Sequence, residues 1–404
     1  MSYYVGTDIG GTFTDCVVLD EAGNITVSKS PSTPPDFAEG LMNSLLDAAA
    51  QLDLALPALL KRTRLFSHGC TVATNTLINQ SGAKAGVITT KGFEETLYIM
   101  RGSAYCQGLP VSDWYHKPQN ERPFDLVPLS RIVAVTERVD RMGEVIVALN
   151  EDEVKRAAEF LVRVHKCQAI TVAFLWSFAN PAHENRAKEI IEQEFPDICV
   201  NTSAEVVALI GEYERFSTAV LNCYLRPEVD KYVYDLSSRL SEKELTAPFL
   251  IMQAHGGLTP WESAARRAVA MLQSGPTGGV IAGKAVGSLV YSENIITADM
   301  GGTSFDISLI AEGKLRYATK SYHSRHVVAA PMVDIESIGA GGGSIAYVDR
   351  SVCKVGPQSA GAEPGPVCYS RGGSRPTVTD ANLVLGYLNP DFFLGGKMRL
   401  DIDA

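Results

Sequence analysis

The octapeptide Asp8-Ile9-Gly10-Gly11-Thr12-Phe13-Thr14-Asp15 returns near the other end of the chain as Asp299-Met300-Gly301-Gly302-Thr303-Ser304-Phe305-Asp306, with five of eight positions identical. Each copy follows one apolar run (3–9, 295–300) and leads into another (12–20, 305–310). A turn, Glu21-Ala22-Gly23-Asn24 or Glu312-Gly313, then opens a third run (25–30, 314–319). The order strand, Gly-Gly turn, strand, turn, strand occurring twice predicts two related β-units. Adjacent glycines permit φ > 0 and leave no side chains between the backbone and a bound anion. The turn N–H groups and the Thr hydroxyl can then form an anion-binding concavity. A single Gly-Gly turn reads equally well as a plain β-hairpin. Two copies with matching aspartates and flanks favour a paired grip on phosphate.

Two such hairpins facing each other across a cleft would hold the β- and γ-phosphates of ATP from opposite sides. The leading aspartates end their strands and would point into that cleft. A carboxylate repels phosphate, so its use there is to hold Mg²⁺, usually through water, or to orient or deprotonate an attacking group.

The rest of the chain bounds this reading. A length of 404 residues implies two or three domains. Hydrophobic residues at 46% and charged ones at 20% describe a globular chain with ample core. A net charge of −10 excludes a nucleic-acid footprint, which needs a basic face. The eight cysteines form no C-x-x-C pair, which removes zinc-ribbon and dithiol readings. The first residues carry no basic n-region or h-region, and no apolar run reaches the ~20 residues of a membrane span. A reduced cytoplasm is the expected setting, with no membrane contact.

Pro31, Pro34 and Pro35 break the pattern before a helix at 37–52, capped by Asp36. Residues 84–89 read as a buried strand, and those from about 100 to 145, rich in aromatics, prolines and arginines, as irregular, with the aromatic, basic part 98–122 open to substrate or partner. Asn150 caps a helix at 151–165. A strand at 169–175, a helix at 183–195, a strand at 198–202 and a helix at 213–244, interrupted at Pro227, follow. A strand at 249–254 and a helix at 278–291 lead to the second hairpin. This alternation indicates α/β layers.

Six segments in order carry a more specific resemblance: Val5 to Asp15 with the first hairpin; Ser67-His68-Gly69-Cys70-Thr71-Val72-Ala73-Thr74-Asn75; Gln273-Ser274-Gly275-Pro276-Thr277-Gly278-Gly279; Ala298 to Asp306 with the second; Ser337-Ile338-Gly339-Ala340-Gly341-Gly342-Gly343-Ser344; and Gly361-Ala362-Glu363-Pro364-Gly365-Pro366. With these the chain resembles the hydantoinase A/oxoprolinase family, within the actin, sugar-kinase and Hsp70 superfamily. The resemblance implies an α/β fold of two ribonuclease-H-like (actin-like ATPase) domains around a nucleotide cleft, divided here as 1–205 and 206–404. It implies ATP-dependent opening of a cyclic amide such as a hydantoin, oxoproline or lactam, by phosphorylation of the carbonyl oxygen. A hydantoinase B-type partner subunit in a hetero-oligomer would then add water. The alternatives are the nucleotide-handling subunit of a ketone carboxylase and a non-catalytic scaffold for the partner. A hydroxyl-phosphorylating sugar kinase is disfavoured by the segments at 68–75 and 363–366.

The resemblance also implies residue roles. Gly10, Gly11 and Thr12 hold one set of phosphates, and Gly301, Gly302 and Thr303 the other. Asp8 and Asp299 are the catalytic carboxylates that manage Mg²⁺, supported by Thr14 and Asp306. His68, Thr71, Thr74 and Asn75 lie near the substrate or the transferred phosphoryl group, or else cap a helix and pack domains. Cys70 has no base beside it in sequence and is not expected to be a nucleophile. Gly341 and Gly342 approach the nucleotide, or form a tight loop at a domain seam. Members of the family continue into another Gly-rich segment and a C-terminal domain, so the second domain is expected to be incomplete, with the adenosine side of the site outside this sequence.

Overall fold

The computed structural model describes residues 2–33, 36–115, 120–361 and 363–404. Pro34 and Pro35, residues 116–119 of the irregular stretch, and Ala362 lie outside the described residues.

Strand β1 (Tyr3–Ile9) alternates inward and outward residues, placing Val5 and Ile9 in the core. It pairs antiparallel with β2 (Phe13–Asp20), and β2 with β3 (Ile25–Pro31). Helix α1 (Phe37–Gln51) starts where expected, with the Asp36 carboxylate accepting the Glu39 N–H at 3.2 Å. It packs Leu41 and Leu45 onto one face of β2 and β3. Strand β4 (Thr63–Cys70) returns parallel to β1, and the short helix α2 (Val72–Ile78) follows it.

Strands β5 (Ala85–Thr90) and β6 (Ile132–Val135), helix α3 (Glu151–Glu159), strand β7 (Ala169–Ala173), helix α4 (Ala182–Glu194) and strand β8 (Cys199–Thr202) build a second layer. Its sheet is parallel throughout, in the order β8-β7-β5-β6. Asn150 caps α3 as expected, its side chain accepting the Glu153 N–H at 3.1 Å.

Helix α5 (Glu212–Glu242) runs unbroken through Pro227, against the interruption read from the sequence. The reason is burial on both sides of the proline. Val220, Leu221 and Leu225 before it and Val229, Val233 and Leu236 after it enter one core with Val5, Leu41 and Phe66. An interior proline costs a helix about 3 kcal/mol, whereas each large apolar side chain buried returns about 1.5–3 kcal/mol.

Strands β9 (Phe249–Met252) and β10 (Leu258–Pro260) then join the first sheet, giving the order β10-β9-β4-β1-β2-β3. That sheet therefore draws strands from both sides of residue 205. Helix α6 (Ser274–Leu289) begins four residues before the expected start at 278. Its proline falls in the first turn, where the missing N–H leaves no bond unmade. Strands β11 (Ile295–Met300), β12 (Phe305–Ala311) and β13 (Lys314–Leu315) repeat the N-terminal pattern antiparallel, and β14 (Glu336–Ile338) pairs with β12. Among the described residues, no helix is long and apolar enough to cross a membrane.

Candidate functional site

The two hairpins share one register. Asp8 stands opposite Asp15 across β1 and β2, as Asp299 stands opposite Asp306 across β11 and β12. The turns close identically: the Gly10 N–H donates to the Phe13 carbonyl at 2.9 Å and the Gly301 N–H to the Ser304 carbonyl at 3.0 Å. Among the described residues, the N–H groups of Gly11, Thr12, Gly302 and Thr303 donate to no protein acceptor. Both tips thus present free backbone donors, as an anion site requires.

The glycines serve a different purpose from the one expected. Gly10, Gly11, Gly301 and Gly302 all lie outside the left-handed region, so φ > 0 does not explain them. Close approach explains Gly302, where a Cβ would strike the Thr12 Oγ1. The tips therefore face each other. Beside this contact, Thr12 and Lys29 of the first hairpin and Gly301 and Gly302 of the second, with Gly342 and the C-terminal residues Tyr369, Phe393 and Leu394, line a cleft of about 400 Å³.

Asp8 lies at the back of this arrangement. Its Oδ1 is buried and has no hydrogen-bond partner. It is accommodated by two glycines: a Cβ on Gly69 would come within 2.8 Å of that oxygen, and one on Gly275 within 3.1 Å. Burial pushes the Asp8 carboxyl up to about 6, the charges of Asp15 and Asp299 push the same way, and Lys29 opposes them. Asp299 is also raised, by desolvation first and then by Asp306 and Asp15. Asp306 is buried and accepts hydrogen bonds from Ser304 Oγ at 2.9 Å and from Ser337 Oγ. Asp15 holds Lys29 Nζ at 2.7 Å.

Thr71, Thr74 and Asn75 bond to the end of β1, to one another and to the residue before α6. The Thr71 hydroxyl donates to the Ile9 carbonyl at 3.1 Å instead of capping α2, and Asn75 Nδ2 donates to that hydroxyl at 3.0 Å. Thr74 Oγ1 accepts the Gln273 N–H at 3.2 Å. The Ser274 hydroxyl donates to the Cys70 carbonyl at 2.8 Å, so the start of α6 is pinned to the end of β4.

Two expected residues face elsewhere. Thr14 is fully buried toward α1, with Oγ1 3.2 Å from Ser32 Oγ, because strand alternation turns it away from Asp15. His68 pairs in register with Thr7, not Asp8, so its ring lies on the core face. It is 1% exposed, between Thr7 Oγ1 at 2.8 Å and the Tyr232 hydroxyl at 2.7 Å. Burial pulls this imidazole down to about 3. His68 therefore supports folding above its unfolded pKa of about 6.5, and that support is lost as pH falls from there toward 3. A His68→Gln variant is expected to lose stability less steeply than wild type between pH 6.5 and 4, by up to about 1.4 kcal/mol per pH unit. Its KM should stay unchanged. Urea midpoints across that range and steady-state kinetics check both. Cys70 is buried, and burial pushes its thiol up to about 12.

The Gly-rich loop backs the second hairpin. The Gly342 N–H donates to the Gly301 carbonyl at 2.9 Å and the Gly343 N–H to the Gly302 carbonyl at 2.7 Å, while the Gly341 N–H donates to Ser344 Oγ at 2.8 Å. The amides of Gly341 and Gly342 are thus already paired.

Residues 4–195 match the family model for the hydantoinase/oxoprolinase N-terminal region, and residues 215–404 match that for hydantoinase/oxoprolinase. The chain belongs to the hydantoinase/oxoprolinase family. Its relatives in this family include the caprolactamase subunit alpha of Pseudomonas jessenii, 38% identical over all of this chain and 57% of its own length. The acetophenone carboxylase gamma subunit of Aromatoleum aromaticum is 37% identical over 98% of this chain and 55% of its own length. Among solved structures, nucleotide-free acetone carboxylase matches with a TM-score of 0.89 at 32% identity, covering 99% of this chain and 57% of that one. The α/β, actin-like ATPase-type fold expected from the sequence is the one shared with that structure. The chain spans a little over half the length of these relatives.

Sequence reading of this family member missed Lys29, and it named Gly69 and Gly275 only as motif letters. The signal for Lys29 was present: the turn at 21–24 sets the β2–β3 register, which places Lys29 opposite Asp15.

Proposed function

We propose that this chain is the nucleotide-handling part of an ATP-dependent enzyme that phosphorylates the carbonyl oxygen of a cyclic amide, which a B-type partner subunit then hydrolyses. The observation that carries this is the pair of hairpins in one register, their tips facing, with an unpartnered Asp8 carboxylate oxygen behind them. The division expected at residues 205 and 206 would fall later, after Pro260, because β9, β10 and α5 join the first sheet and its core. The free amides of Gly11 and Thr12 would hold phosphate from one side and those of Gly302 and Thr303 from the other. Gly341 and Gly342 would shape the second tip from behind.

Mg²⁺ fits the residues present. The orphaned Asp8 oxygen and the Asp299 carboxylate are hard donors, which suits an ion bound through one or two carboxylates, water and phosphate. When bound, it would neutralise charge on the phosphates. The chain's own residues would bind and orient. Nitrogen donation makes an amide carbonyl oxygen able to attack phosphorus but leaves its carbon a poor electrophile. Transfer of the γ-phosphoryl group to that oxygen would form a new O–P bond, break the β–γ bridge, release ADP and, with the amide N–H proton passing to solvent, leave an imidate phosphate whose carbon accepts water and whose phosphate then departs. Thr71 and Asn75, tied to the end of β1 through the Ile9 carbonyl, would hold the receiving end.

A second reading, the equivalent subunit of a ketone carboxylase, is favoured by the likeness to acetone and acetophenone carboxylases. One assay separates them: ATP turnover by the chain with and without its B-type partner, in the presence of hydantoin, oxoproline, a lactam or a ketone. Stimulation by a cyclic amide without bicarbonate supports the hydrolase, and bicarbonate dependence with a ketone supports the carboxylase. Absence of nucleotide binding in every pairing would sink both.

A further inference from the structure

Lys29 is the one charged side chain among the described residues that line the cleft bounded by both hairpin tips and the C-terminal segment. Its setting is unusual for its strand. On the outward face of β2 and β3 the cross-strand pairs run Asp15 with Lys29, Val17 with Val27, and Leu19 with Ile25. The last two pairs are apolar, and the charged pair falls at the cleft end. The ammonium lies 5.2 Å from the centre of the Phe13 ring, which holds the side chain toward the tip. From there its charge opposes the upward push on both Asp8, on the first hairpin, and Asp299, on the second.

The charge balance of the cleft requires more than this. Asp8, Asp15, Asp299 and Asp306 stand at the bases of the two hairpins, and a nucleoside triphosphate would bring further negative charge between them. A bound dication answers part of that repulsion, and the free amides answer part with partial charges only. Lys29 is the nearby full positive charge able to move. It sits on a flexible four-carbon stem, and its ion pair with Asp15 is solvent-exposed, the two side chains being 41% and 44% accessible. Exposed pairs of this kind hold weakly and exchange readily.

We propose that Lys29 is a polyphosphate-binding residue, its ammonium leaving Asp15 to meet the phosphate chain of a nucleotide held between the tips. This rests on the nucleotide reading above and adds a residue to it. The bond exchanged is an ion pair for an ion pair, with no covalent step. Because the contact is made with phosphate alone, it weakens with each phosphate removed from the ligand and is absent for adenosine.

The test is calorimetric titration of the full chain, with its partner where the complex is obtained, using Mg·ATP, Mg·ADP, tripolyphosphate and adenosine against wild type, Lys29→Gln and Lys29→Arg. Lys29→Gln is expected to weaken Mg·ATP and tripolyphosphate by roughly ten- to a hundredfold, the range for one charged hydrogen bond. Mg·ADP should lose less and adenosine nothing, and Lys29→Arg should recover most of the loss. Unchanged Mg·ATP affinity in Lys29→Gln overturns the proposal. So does a parallel loss for adenosine, which would mark a purely structural role for the Asp15 pair. Failure of wild type to bind any of these ligands would instead overturn the nucleotide reading, and this inference with it.

Discussion

An Asp8→Asn variant is expected to be inactive and, at neutral pH, more stable than wild type. Wild-type Asp8 has a buried, unpartnered Oδ1 and a carboxyl raised from 3.8 to about 6. The sign of the linkage follows from that direction. The folded chain holds this proton more tightly than the unfolded chain, so the contribution to stability is complete below about pH 4 and is lost as pH rises through 6. Above that, the ionised group opposes folding by at most roughly 3 kcal/mol. Asparagine has the same shape without the charge, so its urea midpoint should exceed wild type at pH 8 and converge with it near pH 4. Both measurements belong in chelator, because a bound cation would offset the same repulsion. ATP-dependent turnover, by contrast, should fall roughly a hundredfold or more, as expected when a group placed on developing charge is removed. A variant that is both firmer and inactive identifies Asp8 as a residue held unfavourably for function. Equal midpoints at pH 8 together with intact turnover would refute this account.

Much of this site was legible in the sequence because the hairpin carries its own register. The spacing of the two aspartates around Gly-Gly-Thr sets Asp8 opposite Asp15, and the repeat sets Asp299 opposite Asp306. Helix starts at Asp36 and Asn150 were legible for the same local reason, a side-chain acceptor three residues ahead of an unpaired N–H. What was not legible depended on partners distant in sequence. The need for glycine at 302 comes from Thr12, and the need at 69 and 275 comes from Asp8. His68 sits in a motif beside Thr71, yet its face is decided by the parallel register of β4 on β1, which pairs it with Thr7. Pro227 signals a break by local rules, and only the core on both sides of it overrides them. Local patterns fixed the parts, and long-range packing decided which side chains reach the cleft.

That distinction gives Gly341 an effect out of proportion to its size. A Cβ at this position would lie 2.5 Å from the Thr303 nitrogen, 2.6 Å from the Gly302 carbonyl carbon and 2.7 Å from the Gly301 oxygen. All three are backbone atoms, so no rotamer change relieves the contact. Either the loop withdraws or the hairpin tip moves. Withdrawal would strain the bonds from Gly342 and Gly343 to the Gly301 and Gly302 carbonyls. Overpacking typically costs 1–3 kcal/mol, and each lost backbone bond adds about 1 kcal/mol. Gly341→Ala is therefore expected to destabilise the second hairpin by roughly 3 kcal/mol or more and to impair turnover through it. The contrasting variant is Gly11→Ala, at the tip of the first hairpin, where a Cβ would meet nothing within 4 Å. Its unfolding midpoint should stay within about 0.5 kcal/mol of wild type, as for an unstrained surface change, so that any loss falls on ligand binding alone. Urea unfolding, with hydrogen exchange at the paired amides of Gly301, Gly342 and Gly343, separates the two. If Gly341→Ala unfolds like wild type with protected amides at the second tip, the loop does not brace that hairpin. If Gly11→Ala is the less stable of the pair, the open space at the first tip is not real.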